Sequence, residues 1–201
     1  MTRLGILLSG RGSNFLAIHA AIADGRLPAC EIAVVLSNKG DAPGLQAARE
    51  LGLPALHIPI AGRTPAQRDE EFIARLQAAQ VDLVCLAGYM RIITPAFVQA
   101  FPNRILNVHP SLLPSFPGLD AQAQALEFGA KVAGCTVHFV DEAVDHGVII
   151  LQHAVPILDQ DTPETLAARI LIEEHKAYPE AIAQVLSGRF QVQGRRYLPV
   201  L

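Results

Sequence analysis

An asparagine and a histidine two residues apart, Asn107 and His109, stand at the end of a short apolar run, Arg104-Ile105-Leu106. The chain continues Pro110-Ser111-Leu112-Leu113-Pro114 into a Gly/Pro-rich loop, Ser115-Phe116-Pro117-Gly118. A residue before proline is pushed out of helical geometry toward an extended one. Asn107 and His109 therefore sit at a strand end and project from the same face. The amide is a neutral donor and acceptor, and histidine changes charge near neutral pH. Such a pair can move a proton and hold a developing oxyanion. A lone histidine is more often structural, but the companion asparagine and the rigid proline frame favour chemistry here.

Three other segments carry polar groups suited to a site. Ser9-Gly10-Arg11-Gly12-Ser13-Asn14 separates an apolar run from a helical one. Gly10 and Gly12 let backbone N–H groups approach an anion. Ser13, Asn14 and the following helix N-terminus add donors and partial positive charge. A plain structural turn is the alternative. A dinucleotide is the weaker ligand, because the third glycine of that fingerprint is missing. The next strand also ends in Ser37-Asn38-Lys39, with no acid for a ribose diol. A monophosphate fits better. The second segment, Leu86-Ala87-Gly88-Tyr89-Met90-Arg91-Ile92-Ile93, leaves an apolar strand at the end where open parallel sheets bind ligands. It could grip a flat heterocycle, or be an ordinary connection. Asp145, third, lies in a loop before Gly147 and by local sequence reads as a solvated turn residue. His138 and His153 fall inside strand patterns and read as core or edge residues. The histidines show no ligand-like spacing, and no metal is expected.

The elements that must position these groups alternate. Apolar strand runs fall at 4–8, 31–36, 55–58, 82–87 and 104–108. Helical stretches fall at 15–23 and 42–51, and a third begins at Thr64-Pro65, a good N-cap and first-turn pair, and runs to about Gln80. That alternation implies an α/β fold: a Rossmann-like, mostly parallel sheet with helices on both faces. After Gly118 the pattern changes. A short helix at 121–128 precedes strands at 134–140 and 148–155, read as an antiparallel C-terminal extension. Thr162-Pro163-Glu164 caps a long amphipathic helix reaching about Leu186, which Pro179 should break or kink. Gln193-Gly194 could turn a terminal hairpin. One domain over 1–201 is expected, with a parallel nucleotide-binding half at 1–108 and a catalytic C-terminal part at 109–201.

Composition narrows the class. Of 201 residues, 51% are hydrophobic and 17% charged, with a net charge of -3 and no Lys/Arg run, which argues against a nucleic-acid groove. The three cysteines, Cys30, Cys85 and Cys135, are widely spaced and read as buried thiols of a reducing compartment. No leader-like segment opens the chain and no apolar run is long enough to span a bilayer, so a soluble, cytoplasmic protein without membrane partners is expected.

Taken together, Ser9 to Asn14, Ala87-Gly88-Tyr89-Met90-Arg91, the Asn107 to Pro114 segment and Val140-Asp141-Glu142-Ala143-Val144-Asp145-His146-Gly147 resemble the folate-dependent formyltransferases that use 10-formyltetrahydrofolate. The likeness runs over nearly the whole chain. The first loop and Glu174-His175 with Tyr178-Pro179 resemble the members that act on a glycinamide ribonucleotide in purine synthesis. The resemblance implies that Gly12, Ser13 and Asn14 bind the ribonucleotide phosphate and that Glu174 meets its sugar. It implies that Met90, Arg91, Ile92 and Ile93 line the folate pocket, and that Asn107 bonds the formyl oxygen. His109 would be the general acid/base and Asp145 would tune it. Partners would be small molecules only, the ribonucleotide and the reduced folate, with monomer or homodimer left open.

Two departures stand out. Many relatives carry a lysine where Ser115 follows Leu-Leu-Pro. The basic residue expected near the start of the helix after strand three is replaced by Pro65, flanked by Arg63 and Arg68. Three rivals remain. A formyltetrahydrofolate hydrolase would use the same residues on water, but that family usually carries an N-terminal regulatory domain, whereas this chain begins at its first strand. Methionyl-tRNA formylation normally adds an RNA-binding domain and a basic surface. A non-catalytic nucleotide-binding module explains the first loop but gives Asn107, His109 and Asp145 no purpose.

Overall fold

A computed structural model describes residues 1–200, and the chain divides into two compact units, Met1–Asn107 and Val108–Leu201. In the first, strands β1 (Thr2–Leu8), β2 (Cys30–Ser37), β3 (Ala55–His57), β4 (Leu83–Leu86) and β5 (from Ile105) alternate with helices. These are α1 (Ser13–Ala23), α2 (Pro43–Glu50), α3 (Pro65–Ala78) and α4 (Pro95–Ala100). The strands are parallel, in the order β3-β2-β1-β4-β5. Five consecutive buried residues in β1, and four in β4, mean that both faces of the sheet are covered. Leu4, Ile6, Val35 and Val84 of the strands form the core with Phe15, Ile18, Leu45, Phe72 and Leu76 of the helices.

The chain order reverses between β1 and β4, where the next-in-sequence strands lie on opposite sides. Ligands of open α/β sheets bind outside the strand C-termini at such a point. The two loops that leave β1 and β4 there are residues 9–12 and 87–94.

In the second unit, α5 (Ala121–Phe128) precedes β6 (Val132–Phe139) and β7 (Ile149–Pro156), which pair antiparallel. Helix α6 (Pro163–Leu186) packs on both strands, and β8 (Phe190–Gln193) with β9 (Arg196–Pro199) forms a hairpin. The α/β class and the antiparallel C-terminal strands agree with the sequence reading. The expected break at Pro179 does not occur: α6 is one helix of 24 residues. A mid-helix proline costs about 3 kcal/mol. Around it Leu166, Ile170, Tyr178 and Ile182 are fully buried, and each such side chain contributes roughly 1.5–3 kcal/mol. Packing therefore outweighs the lost hydrogen bond. Helix α4 was not anticipated. Thr94-Pro95 starts it as Thr64-Pro65 and Thr162-Pro163 start theirs, but at six residues its periodicity is too short to register.

Among the described residues, no helix is long and apolar enough to cross a membrane. Cys30, Cys85 and Cys135 are buried thiols outside any disulfide, and burial pushes the Cys135 pKa up to about 12.

Candidate functional site

The loop after β1 is held by backbone packing. Gly12 is the α1 N-cap in the left-handed region, at φ 73°, and a Cβ there would lie 2.7 Å from the Gly44 Cα. Gly44 in turn donates its N–H to the Gly10 carbonyl at 3.0 Å. Only glycine serves at 12, on both counts. The first turn of α1 contains no acidic residue, so its N-terminus keeps its full positive end for an anion. Ser13 is half-buried and Asn14 buried at that turn.

The loop after β4 is tied to this one. Ser9 donates its N–H to the Gly88 carbonyl at 3.0 Å. Its hydroxyl accepts from Met90 N–H at 2.9 Å and donates to Asn38 Oδ1 at 2.6 Å. Met90 and Ile92 are 65% and 71% exposed, Arg91 is exposed and Ile93 is buried. Two large apolar side chains two residues apart are thus exposed just beyond the C-terminal end of β4. Of the two arginines flanking Pro65, Arg63 is exposed. Arg68 is buried and directs its donors to Asp69 and the Ile92 carbonyl.

Strand β5 (Ile105–His109) carries Asn107, half-buried, and His109, 5% exposed. His109 Nδ1 lies 3.3 Å from Asp145 Oδ2, and its Nε2 lies 2.9 Å from the Phe116 carbonyl oxygen. Both partners are acceptors, so the ring makes both contacts as a donor only when doubly protonated. Asp145 also accepts the Gly118 N–H at 2.8 Å, which locks the 115–118 turn to the carboxylate. Its own backbone is left-handed, at φ 50°. The loop reaches this place because Gly147 runs against β6: a Cβ at 147 would lie 1.8 Å from the Phe139 carbonyl oxygen.

The proline-framed segment is anchored too. Thr136 Oγ1 donates to the Ser111 carbonyl at 2.7 Å and accepts from Leu113 N–H at 3.0 Å. Ser111 Oγ donates to the Ser115 carbonyl at 2.6 Å, so this hydroxyl is a structural donor. Glu174 is 8% exposed on α6.

The sequence reading passed over His138. It is 2% exposed, and its Nε2 lies 3.8 Å from Asp145 Oδ1, so Asp145 stands between two imidazoles. Burial pushes the His138 ring toward its neutral form, against the pull of Asp145 and the Phe139 carbonyl. The strand pattern that made it look like an ordinary core residue conceals this, since β6 is buried on both faces. Among the described residues, no three His, Cys, Asp or Glu side chains gather in a way that could hold a metal ion.

Residues 2–182 match the profile of a family described as formyl transferase. The chain belongs to the formyl transferase family. A Haemophilus influenzae phosphoribosylglycinamide formyltransferase is 42% identical over 194 residues, 96% of this chain and 91% of that protein. The crystal structure of glycinamide ribonucleotide transformylase 1 from Symbiobacterium toebii superposes with a TM-score of 0.97 at 54% identity, covering all of this chain and 95% of that one. The trifunctional purine biosynthetic protein adenosine-3 of Drosophila melanogaster is 47% identical over 190 residues. That match takes in 92% of this chain but only 14% of the longer protein. As a formyl transferase, the chain brings His109 and Asp145 together in one unit and the first loop and the 90–93 segment together in the other.

Proposed function

We propose that this formyl transferase moves the formyl group of 10-formyltetrahydrofolate to the amine of N1-(5-phospho-D-ribosyl)glycinamide. The products are the N-formyl ribonucleotide and tetrahydrofolate, in de novo purine (IMP) biosynthesis. The observation that carries this reading is the His109–Asp145 pair at 3.3 Å, with Nε2 donating toward an oxygen, in a chain of this family.

The unprotonated amine attacks the formyl carbon and gives a tetrahedral intermediate with an oxyanion and an ammonium. The His109 Nε2–H and the Asn107 amide donate to the oxyanion, which is a stronger acceptor than the Phe116 carbonyl that Nε2 now meets. One such donor is worth about 3–4 kcal/mol in the transition state. Asp145 orients the imidazole and, through ordered water, passes the ammonium proton toward the leaving folate nitrogen. No covalent enzyme intermediate forms. Gly12, Ser13 and Asn14 hold the phosphate, Glu174 the sugar hydroxyls, and Met90, Arg91, Ile92 and Ile93 the folate heterocycle.

The test follows an isotope-labelled formyl group by mass spectrometry. Label on the ribonucleotide product supports the reading. Label released only as formate points to hydrolysis instead, and label found on the protein contradicts direct transfer.

A further inference from the structure

The exposed folate-facing residues Met90 and Ile92 sit on a segment that is fastened at both ends by buried side chains. At the β4 end Ser9 holds Gly88 and Met90. At the far end two consecutive residues of α3 take over. The Arg68 Nη2 donates to the Ile92 carbonyl at 2.6 Å, and Asp69 Oδ2 accepts the Thr94 N–H at 2.6 Å. Arg68 Nε donates to Asp69 Oδ1 at 2.7 Å, closing the arrangement. Arg68 is 6% exposed and Asp69 1%. One turn further along α3, Phe72 packs on Tyr89 with ring centroids 5.5 Å apart.

A buried ion pair is a poor source of stability, because desolvating two charges consumes most of what their attraction returns. Its distinct capability is geometric. A planar guanidinium bonded to one carboxylate and one carbonyl fixes positions and angles together. Here the pair grips the backbone on either side of Ile93.

We propose that Arg68 and Asp69 are positioning residues that set the shape of the 90–93 wall and thereby the enzyme's affinity for the folate heterocycle. This rests on the assignment of that wall to folate made above. Both residues are buried, and act on the co-substrate through the backbone they hold. Arg68, flanking Pro65 in the sequence, acts on the folate site from behind rather than as a charge presented to it.

The pair predicts a split between the two substrates. Arg68→Lys keeps the charge but not the fork. Arg68→Met/Asp69→Asn removes the pair without leaving a buried unpaired charge, and keeps an acceptor for Thr94. In variants shown by thermal melting and circular dichroism to be folded, KM for formylfolate should rise about tenfold or more, equivalent to about 1.4 kcal/mol or more of binding. KM for the ribonucleotide should stay within about twofold, and Arg68→Lys should lose less than the double variant. Titration calorimetry with a non-reactive folate analogue should show the same loss. Unchanged folate affinity in a folded variant, or equal loss for both substrates, overturns the proposal. If the parent protein itself ignores the folate analogue, the folate assignment falls and this proposal falls with it.

Discussion

His109 Nδ1 lies 3.3 Å from Asp145 Oδ2 while Nε2 of the same ring faces the Phe116 carbonyl oxygen at 2.9 Å. The carboxylate thus sits on one side of the imidazole and orients a donor on the other. Removing either member should harm the transition state more than the ground state. His109→Ala and Asp145→Ala should each lower kcat by about a hundredfold or more, with substrate dissociation constants changed only a few-fold. Steady-state kinetics paired with calorimetry checks this. Near-normal turnover in either variant contradicts the assigned roles.

Gly147 controls where Asp145 stands. A methyl group there would lie 1.8 Å from the Phe139 carbonyl oxygen, so Gly147→Ala must shift the 141–147 loop or the end of β6. A displacement of about 1 Å in a catalytic group can cost up to a hundredfold in rate. Gly147→Ala should therefore lose kcat by roughly tenfold or more, although residue 147 has no functional group of its own. Retention of full activity means that the loop position is not what sets Asp145.

Burial lowers the His138 pKa in the fold, while an unfolded histidine takes a proton near its ordinary value. The unfolded chain thus binds more protons as pH drops below about 6.5, so stability falls with pH in that range. His175, lowered by burial, has the same sign. Asp161, lowered chiefly by its hydrogen bond from Arg169, adds a second loss at pH values below the ordinary carboxylate range. Thermal melts should show Tm declining as pH falls from about 7 to about 5.5, with a shallower decline in His138→Asn. An identical slope in the variant excludes His138 as a source.

Tyr89 is 9% exposed and its hydroxyl has no hydrogen-bond partner among the described residues, and burial raises its pKa to about 12. Its ring, not its hydroxyl, makes the contact with Phe72. Deleting an unsatisfied buried hydroxyl removes a desolvation penalty, so Tyr89→Phe should be neutral or stabilise by up to about 1 kcal/mol in urea unfolding. A loss of more than about 1 kcal/mol would show that the hydroxyl has a partner such as ordered water.

The sequence made the parallel strands legible because β1, β2 and β4 are short apolar runs closed by Gly, Ser or Asn. It made α3 and α6 legible because Thr-Pro pairs mark their starts. The break it allowed at Pro179 does not occur, since the local cost of a proline is visible in a sequence and the packing around Tyr178 and Ile182 is not. His109 stood out through its asparagine and proline neighbours. Asp145 did not, because what distinguishes it is distance to His109 across 36 residues of chain, which no local pattern encodes. His138 and the Arg68–Asp69 pair were hidden for the same reason: their meaning lies in burial and in backbone groups they meet, Phe139 for one and Ile92 with Thr94 for the other.

The most direct test of the central claim is absorbance-monitored deformylation of 10-formyl-5,8-dideazafolate with and without glycinamide ribonucleotide. Formyl transfer to the ribonucleotide predicts turnover that appears only when the ribonucleotide is added, and disappears in His109→Ala. Turnover at the same rate without the ribonucleotide, or none in either case from folded protein, contradicts it.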